Sequence, residues 1–108
     1  MSNFAYLLTP AARADLNEIW DSISDESLEA ADRVLAAIYE HIALIAVTPG
    51  IGHMRPDLAG KRSLLFSPVH RYKYQVIYMA QKRPLAVIGI LHSARDIQSL
   101  LRHRKSNS

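Results

Sequence analysis

The chain has 108 residues, 49% of them hydrophobic and 21% charged, which is typical of one globular domain with its own core and excludes an intrinsically disordered chain. It contains no cysteine, which excludes disulfide bonds, a thiolate nucleophile and cysteine-ligated metals. The N-terminus lacks a basic segment leading into an apolar one, and no apolar run approaches the roughly 18 residues of a membrane helix. We therefore expect a cytoplasmic protein that does not enter a membrane.

The two halves of the chain carry opposite charge. Residues 1–50 have two basic and eight acidic side chains, a net charge of −6, whereas residues 51–108 have eleven basic and two acidic side chains, a net charge of +9. If the second half forms one contiguous surface, its field favours a polyanionic partner, such as nucleic acid, a nucleoprotein or an acidic protein segment. The alternative is that the basic residues only keep a sheet soluble and its edges unpaired.

The first half predicts a strand and then a helical hairpin. Residues 3–8 are strand-like, and Thr9 and Pro10 are typical of a helix N-cap and first helical position. Apolar residues at helical spacing follow in two series, which are Leu16, Ile19, Trp20 and Ile23, and then Leu28, Ala31, Leu35, Ile38, Ile42 and Ile45. The capping segment 24–27 separates the two helices, so they should pack as an antiparallel pair. We assign Trp20 to the core and the acidic residues near it, Asp15 included, to the solvated face.

The second half predicts a loop and three strands. Residues 51–60 contain the glycines and proline of a loop. Residues 61–66, 72–79 and 85–91 are rich in valine, isoleucine, leucine and tyrosine and predict consecutive antiparallel strands. Leu100 and Leu101 predict a short last helix, so residues 1–101 form one domain. Residues 102–108 form a polar basic tail that we expect to be frayed.

This element order predicts an α+β fold, with an antiparallel sheet in the order β-α-α-β-β-β, a helical hairpin on one face and a short C-terminal helix. The other face of the sheet is predicted to be free. If it carries arginine, lysine and tyrosine side chains, it is a candidate surface for binding phosphates and bases.

One cluster could carry chemistry. No metal-ligand spacing and no phosphate-binding glycine loop is present, so we expect no metal and no cofactor. His70 and Arg71, and His92 and Arg95, come from neighbouring strand ends, and metal-free RNA cleavage needs an acid, a base and cations. The alternative is structural: Arg95 pairs with Asp96 or Asp57, and His92 bonds to the backbone.

Three sequence segments resemble ParE-type toxins. They are Tyr6 to Ala12 with Asp15-Leu16 and Glu18-Ile19-Trp20, then Glu29 to Arg33, and finally Gly52 to Leu58 with Arg71-Tyr72 and Ile90 to Asp96. The similarity covers about residues 5 to 97, and the order of the pieces is more specific than any one of them. It implies the toxin of a type II toxin–antitoxin pair, with the RelE/ParE fold.

The superfamily has two branches with different targets. RelE-like members cut messenger RNA on the ribosome, whereas ParE-like members poison DNA gyrase and have no catalytic chemistry. Arg71 matches the arginine that the nucleases place on a central strand, and Arg95 lies near their second arginine. The tyrosine or histidine-tyrosine ending of the nuclease branch is missing after Arg95, which favours ParE.

The resemblance therefore implies a growth-inhibiting, non-enzymatic gyrase inhibitor that stabilises a plasmid or chromosomal locus. Its implied partners are a ParD-like antitoxin, in a hetero-oligomer, and gyrase, with possible indirect DNA contact through either. The candidate contact residues are Arg55, Lys61, Arg62, Arg71, Lys73 and Arg95, and the candidate structural residues are Thr9, Pro10, Leu16, Trp20, Asp57 and Asp96. The alternatives are a ribosome-dependent endoribonuclease that uses Arg71, Arg95 and His92, and a non-toxic or decayed binding module.

Overall fold

The computed structural model describes residues 5–102 and 104. The elements are β1 (Tyr6–Leu8), α1 (Pro10–Ser24), α2 (Leu28–Val47), a 3-10 turn (Pro49–Ile51), β2 (His53–Met54), α3 (Pro56–Ala59), β3 (Leu65–Pro68), β4 (Tyr74–Met79), β5 (Leu85–His92) and α4 (Ile97–Leu101). The predicted α+β class is confirmed. Residues 3 and 4 of the predicted first strand, together with residue 103 and residues 105–108 of the tail, lie outside the described residues. Within the described ranges, every helix is too short or too polar to cross a bilayer.

Both helices of the hairpin begin at the predicted caps. The Thr9 hydroxyl accepts a hydrogen bond from the Ala12 amide at 3.1 Å, and the Ser27 hydroxyl accepts one from the Ala30 amide at 3.1 Å. These bonds satisfy amides that a helix start would otherwise leave unpaired. Leu16 is buried as predicted. Trp20 is only half-buried, so its assignment to the core was wrong: its indole N–H donates to the Asp32 carboxylate of α2 at 3.1 Å across the hairpin surface.

The five strands form one sheet in the order β1-β5-β4-β3-β2. Neighbours from β2 to β5 are antiparallel, but β1 runs parallel to β5, so the prediction of a wholly antiparallel sheet was wrong. The meander of β3, β4 and β5 leaves the outer edge of β5 open, and β1 covers the first part of that edge. The predicted loop at residues 51–60 also contains β2 and α3, and β3 begins at Leu65 rather than at residue 61.

Both faces of the sheet are covered. The helical hairpin packs on one face, against a core that includes Ile38, Val76 and Val87, and the side chains of Tyr72, Tyr74 and Tyr78 lie on this same side. On the other face, α3 and α4 cover a second core that contains Phe66, Ile77, Ile88, Leu91, Ile97 and Leu101. The prediction of a free face carrying tyrosines was therefore wrong, because β4 and β5 present apolar side chains to both sides.

Candidate functional site

An ion pair joins α1 to the end of the described chain. Arg104 donates from Nη1 to Asp15 Oδ2 at 2.6 Å and from Nη2 to Asp15 Oδ1 at 2.9 Å. The two side chains are 15% and 9% exposed, so the pair is largely shielded from water. Asp15 was expected on the solvated face and Arg104 in a frayed tail, and both expectations were wrong. We call this pair the Asp15–Arg104 clamp.

The clamp closes the part of the β5 edge that β1 does not reach. Pairing with β1 ends at Val87, and a bulge follows in β5, where Ile77 pairs with Gly89 but Tyr78 pairs with Val87. Beyond this point, Ile90 donates its amide N–H to Asp15 Oδ2 at 3.0 Å, and the Ile88 carbonyl accepts from Arg104 Nη1 at 3.0 Å. The side chains thus make the hydrogen bonds that a longer β1 would have made.

A hollow with a volume of about 560 Å³ lies between α2 and the turn that joins β3 to β4. Its apolar lining includes Ala36, Ala37, Leu44, Val69 and Tyr72 and its charged lining includes Arg33, Glu40 and Arg71. Leu44 is 50% exposed, whereas Ile38, Ile42 and Ile45 of the same helix are fully buried. We call this hollow the α2 groove.

His41 lies in the α2 groove, and its Nε2 atom is 2.7 Å from the hydroxyl of the buried Ser67. Partial burial lowers the pKa of His41 below 6.5, because it penalises the charged imidazolium. The unfolded chain then binds more protons than the folded chain between the lowered pKa and 6.5, so the free energy of unfolding falls as the pH drops through this window.

We expect the His41→Gln variant to lose this part of the pH dependence, because glutamine can still bond to Ser67 but does not titrate. Urea unfolding of both proteins between pH 5 and pH 8 measures it. Equal pH dependence in the two proteins would contradict the prediction.

Arg71 is exposed in the turn between β3 and β4, with a backbone φ of +75°. The left-handed region costs an L-residue about 1 to 2 kcal/mol, and glycine occupies it freely. Arginine at this position therefore strains the backbone of the turn, beside the α2 groove.

We expect Arg71→Gly to raise the free energy of unfolding by up to about 1 kcal/mol, because the relief of strain exceeds the added entropy of the unfolded chain. Thermal unfolding measures the change. A destabilised variant would show that the Arg71 side chain supports the fold instead.

His92 and Arg95 lie together, but Arg71 is not with them. A small hollow beside α1 is lined by Glu18, Tyr74, His92 and Arg95, whereas Arg71 lines the α2 groove. His92 Nδ1 accepts the Ala94 amide N–H at 3.0 Å, and the His92 ring meets Tyr74 edge to face with centroids 5.3 Å apart. Burial raises the pKa of Tyr74, which makes its hydroxyl a weaker acid. The hydrogen bond of His92 and its ring contact with Tyr74 hold the end of β5 in place.

The acidic neighbours of the candidate cations differ from the expected ones. Arg95 Nη1 lies 3.9 Å from Glu18 Oε1, and neither Asp57 nor Asp96 is its partner. Hydrogen bonds from Arg55 lower the pKa of Asp57, and the two side chains form an exposed ion pair at 2.8 Å. Asp96 caps α4 by accepting the Ser99 amide N–H at 3.2 Å.

The remaining contact candidates are divided between two places. Lys61 and Arg62 lie in the link between α3 and β3, where Arg62 Nη1 donates to the Leu101 carbonyl at 2.8 Å. Lys73 is exposed beside Arg71 in the turn between β3 and β4. The six candidate cations therefore do not share one hollow.

Sequence reasoning missed the clamp and the groove. Asp15 follows Ala12 by three residues and precedes Ile19 by four, which is the spacing of the buried stripe, so the position of a buried acid could have been found. Its partner could not, because Arg104 lies 89 residues away in the sequence. Leu44 lies within the helical pattern of α2, so no local signal marks it as exposed. Its exposure depends on how the turn between β3 and β4 packs beside α2.

The chain belongs to a known family of toxins. The family model described as ParE toxin of type II toxin-antitoxin system, parDE, matches residues 6–97. Two curated relatives are named Toxin ParE1, from two strains of Mycobacterium tuberculosis, and each is 30% identical over 93 residues, which is 85% of this chain and 92% of the relative. A solved structure titled chromosomal ParDE TA system from P. aeruginosa has a TM-score of 0.69 and 18% identity, and the likeness covers 82% of this chain and 94% of that one. The chain is thus a ParE toxin of a type II toxin–antitoxin system, as the resemblance implied.

Proposed function

We propose that this ParE toxin acts in the cytoplasm by binding and inhibiting DNA gyrase, so that replication stops, and that a ParD-like antitoxin neutralises it. Family membership supports the toxin and its antitoxin partner. The proposed target and compartment go one step further than the family match.

The separation of the candidate nuclease residues supports a binding mechanism over RNA cleavage. Arg71 lines the α2 groove, and His92 and Arg95 line a different hollow. Metal-free cleavage requires the base, the acid and the cations to reach one phosphate, within hydrogen-bond distance of the reacting atoms. Here, His92 Nδ1 is bonded to the backbone and Arg95 lies near Glu18. A toxin that inhibits by occupying a surface of its target needs no such assembly.

The α2 groove is the site that we propose for the antitoxin. An exposed leucine beside alanines offers an apolar anchor point, and Arg33 and Arg71 lie around it with a single acidic residue, Glu40. An amphipathic segment that carries apolar residues on one face and carboxylates beside them would match this lining. Such a segment folds onto the toxin when it binds, as flexible partner segments commonly do.

Induced expression in bacterial cells tests the proposed target class. We expect DNA synthesis to stop while messenger RNA, probed by primer extension, stays intact. Messenger cleavage with continued DNA synthesis would move the protein to the nuclease branch. Unaffected growth would indicate a non-toxic module.

A further inference from the structure

A basic hollow, separate from the α2 groove, lies on the face of the molecule that α3 and α4 cover. It has a volume of about 200 Å³ and is lined by Leu58, Gly60, Arg62, Gln98 and Arg102, among others. Lys61 is exposed at the adjacent position of the chain. The hollow thus combines two guanidinium groups and one amide, and its lining contains no carboxylate.

The nearest acidic residues in sequence are already engaged. Asp57 accepts two hydrogen bonds from Arg55, at 3.0 and 2.8 Å, and Asp96 caps α4 through the Ser99 amide. Their charges are therefore compensated or used within the protein. Arg62, Arg102 and Lys61 remain as a local excess of positive charge, which attracts anions.

The hollow is held in shape before any partner arrives. A helix of five residues such as α4 is not stable alone. It is fixed by the buried Ile97 and Leu101, and by Arg62, which donates to the Leu101 carbonyl. The clamp then fixes the chain at Arg104, two residues after Arg102. A preorganised site loses less entropy on binding than a flexible basic tail does.

We propose that this basic hollow binds the phosphate backbone of duplex DNA. Guanidinium groups match phosphate oxygens in pairs, and the lining offers two of them, Arg62 and Arg102, without a carboxylate. Binding of this kind is independent of base sequence. The inference rests on the proposed function, because a toxin that acts on gyrase meets the DNA that gyrase holds.

Fluorescence anisotropy of a labelled 20-base-pair duplex, measured over a range of salt concentrations, tests the inference. The Lys61→Gln/Arg102→Gln variant removes two cations at the hollow, and Lys82→Gln/Arg13→Gln removes two exposed cations elsewhere. We expect only the first variant to bind about tenfold more weakly near 0.1 M salt, with a log–log salt slope smaller by about 1.8. Circular dichroism and thermal unfolding confirm that both variants are folded.

Three results would overturn the inference: no binding of the wild type to DNA at about 0.05 M salt, equal weakening by both variants, or wild-type binding to polyglutamate but not to DNA. The last result would assign the hollow to an acidic protein. Gyrase supercoiling, assayed on the same preparations, separates the two proposals. Inhibition without DNA binding leaves the proposed function intact, and DNA binding without inhibition contradicts the proposed function alone.

Discussion

Replacing Arg104 by alanine should lower the free energy of unfolding by about 3 kcal/mol or more. The reason is that Asp15 would stay buried as an unpaired carboxylate, and the Ile88 carbonyl would lose its donor. Removing one partner of a shielded ion pair costs far more than the pair itself contributes. Urea unfolding followed by circular dichroism measures the change. A loss below about 0.5 kcal/mol, which is typical of surface substitutions, would show that the clamp does not stabilise the fold.

Two further variants show whether the loss comes from the clamp. Arg102→Ala removes an exposed arginine two residues away and should change stability little. Gly89→Ala would place a Cβ atom 2.7 Å from Arg104 Nη1, so it should displace the guanidinium and destabilise the protein in the same way. The effects of Gly89→Ala and Arg104→Ala should therefore not add in the double variant. Additive effects would indicate that glycine is needed at position 89 for another reason.

Replacing Leu44 by glutamate should weaken antitoxin binding at least about 25-fold, since residues at the centre of an interface contribute about 2 to 4 kcal/mol and each 1.4 kcal/mol is tenfold in affinity. The substitution removes the proposed apolar anchor point and adds a negative charge that repels an acidic segment. Leu44 is half exposed, so the fold should tolerate the change. Isothermal titration of the toxin variant with the full-length antitoxin measures the affinity.

Met54→Glu is the matched control for Leu44→Glu. Met54 is also an exposed apolar residue, at 62%, but it lies in β2, outside the α2 groove. The Met54→Glu variant should bind the antitoxin as the wild type does. Equal weakening by both substitutions would mean that net charge, rather than the α2 groove, governs binding.

The periodic elements of the fold could be predicted from the sequence because local patterns determine them. The caps at Thr9 and Ser27 and the burial of Leu16 follow from local signals, and each is confirmed. The parallel pairing of β1 with β5 joins Tyr6 to Leu85, and no local pattern encodes it. The covered second face was missed because α3 is too short to show a clear helical period, and no local pattern places the predicted last helix, α4, against the sheet.

The site was less predictable than the fold. Arg71, Arg95 and His92 were correctly placed at strand ends or turns, but their distribution over two hollows depends on how α1 and α2 pack. The roles of Asp15 and Arg104 depend on a contact between the two ends of the chain. A buried acid in a helical stripe indicates that a cation is needed, but sequence alone does not say which of the thirteen arginines and lysines supplies it.

The most direct test of the proposed function is a supercoiling assay with purified gyrase, relaxed plasmid and increasing amounts of this protein, with and without its antitoxin. We predict that the protein alone abolishes supercoiling and that an equimolar amount of antitoxin restores it. Normal supercoiling at a large excess of folded toxin would contradict the proposal that gyrase is its target.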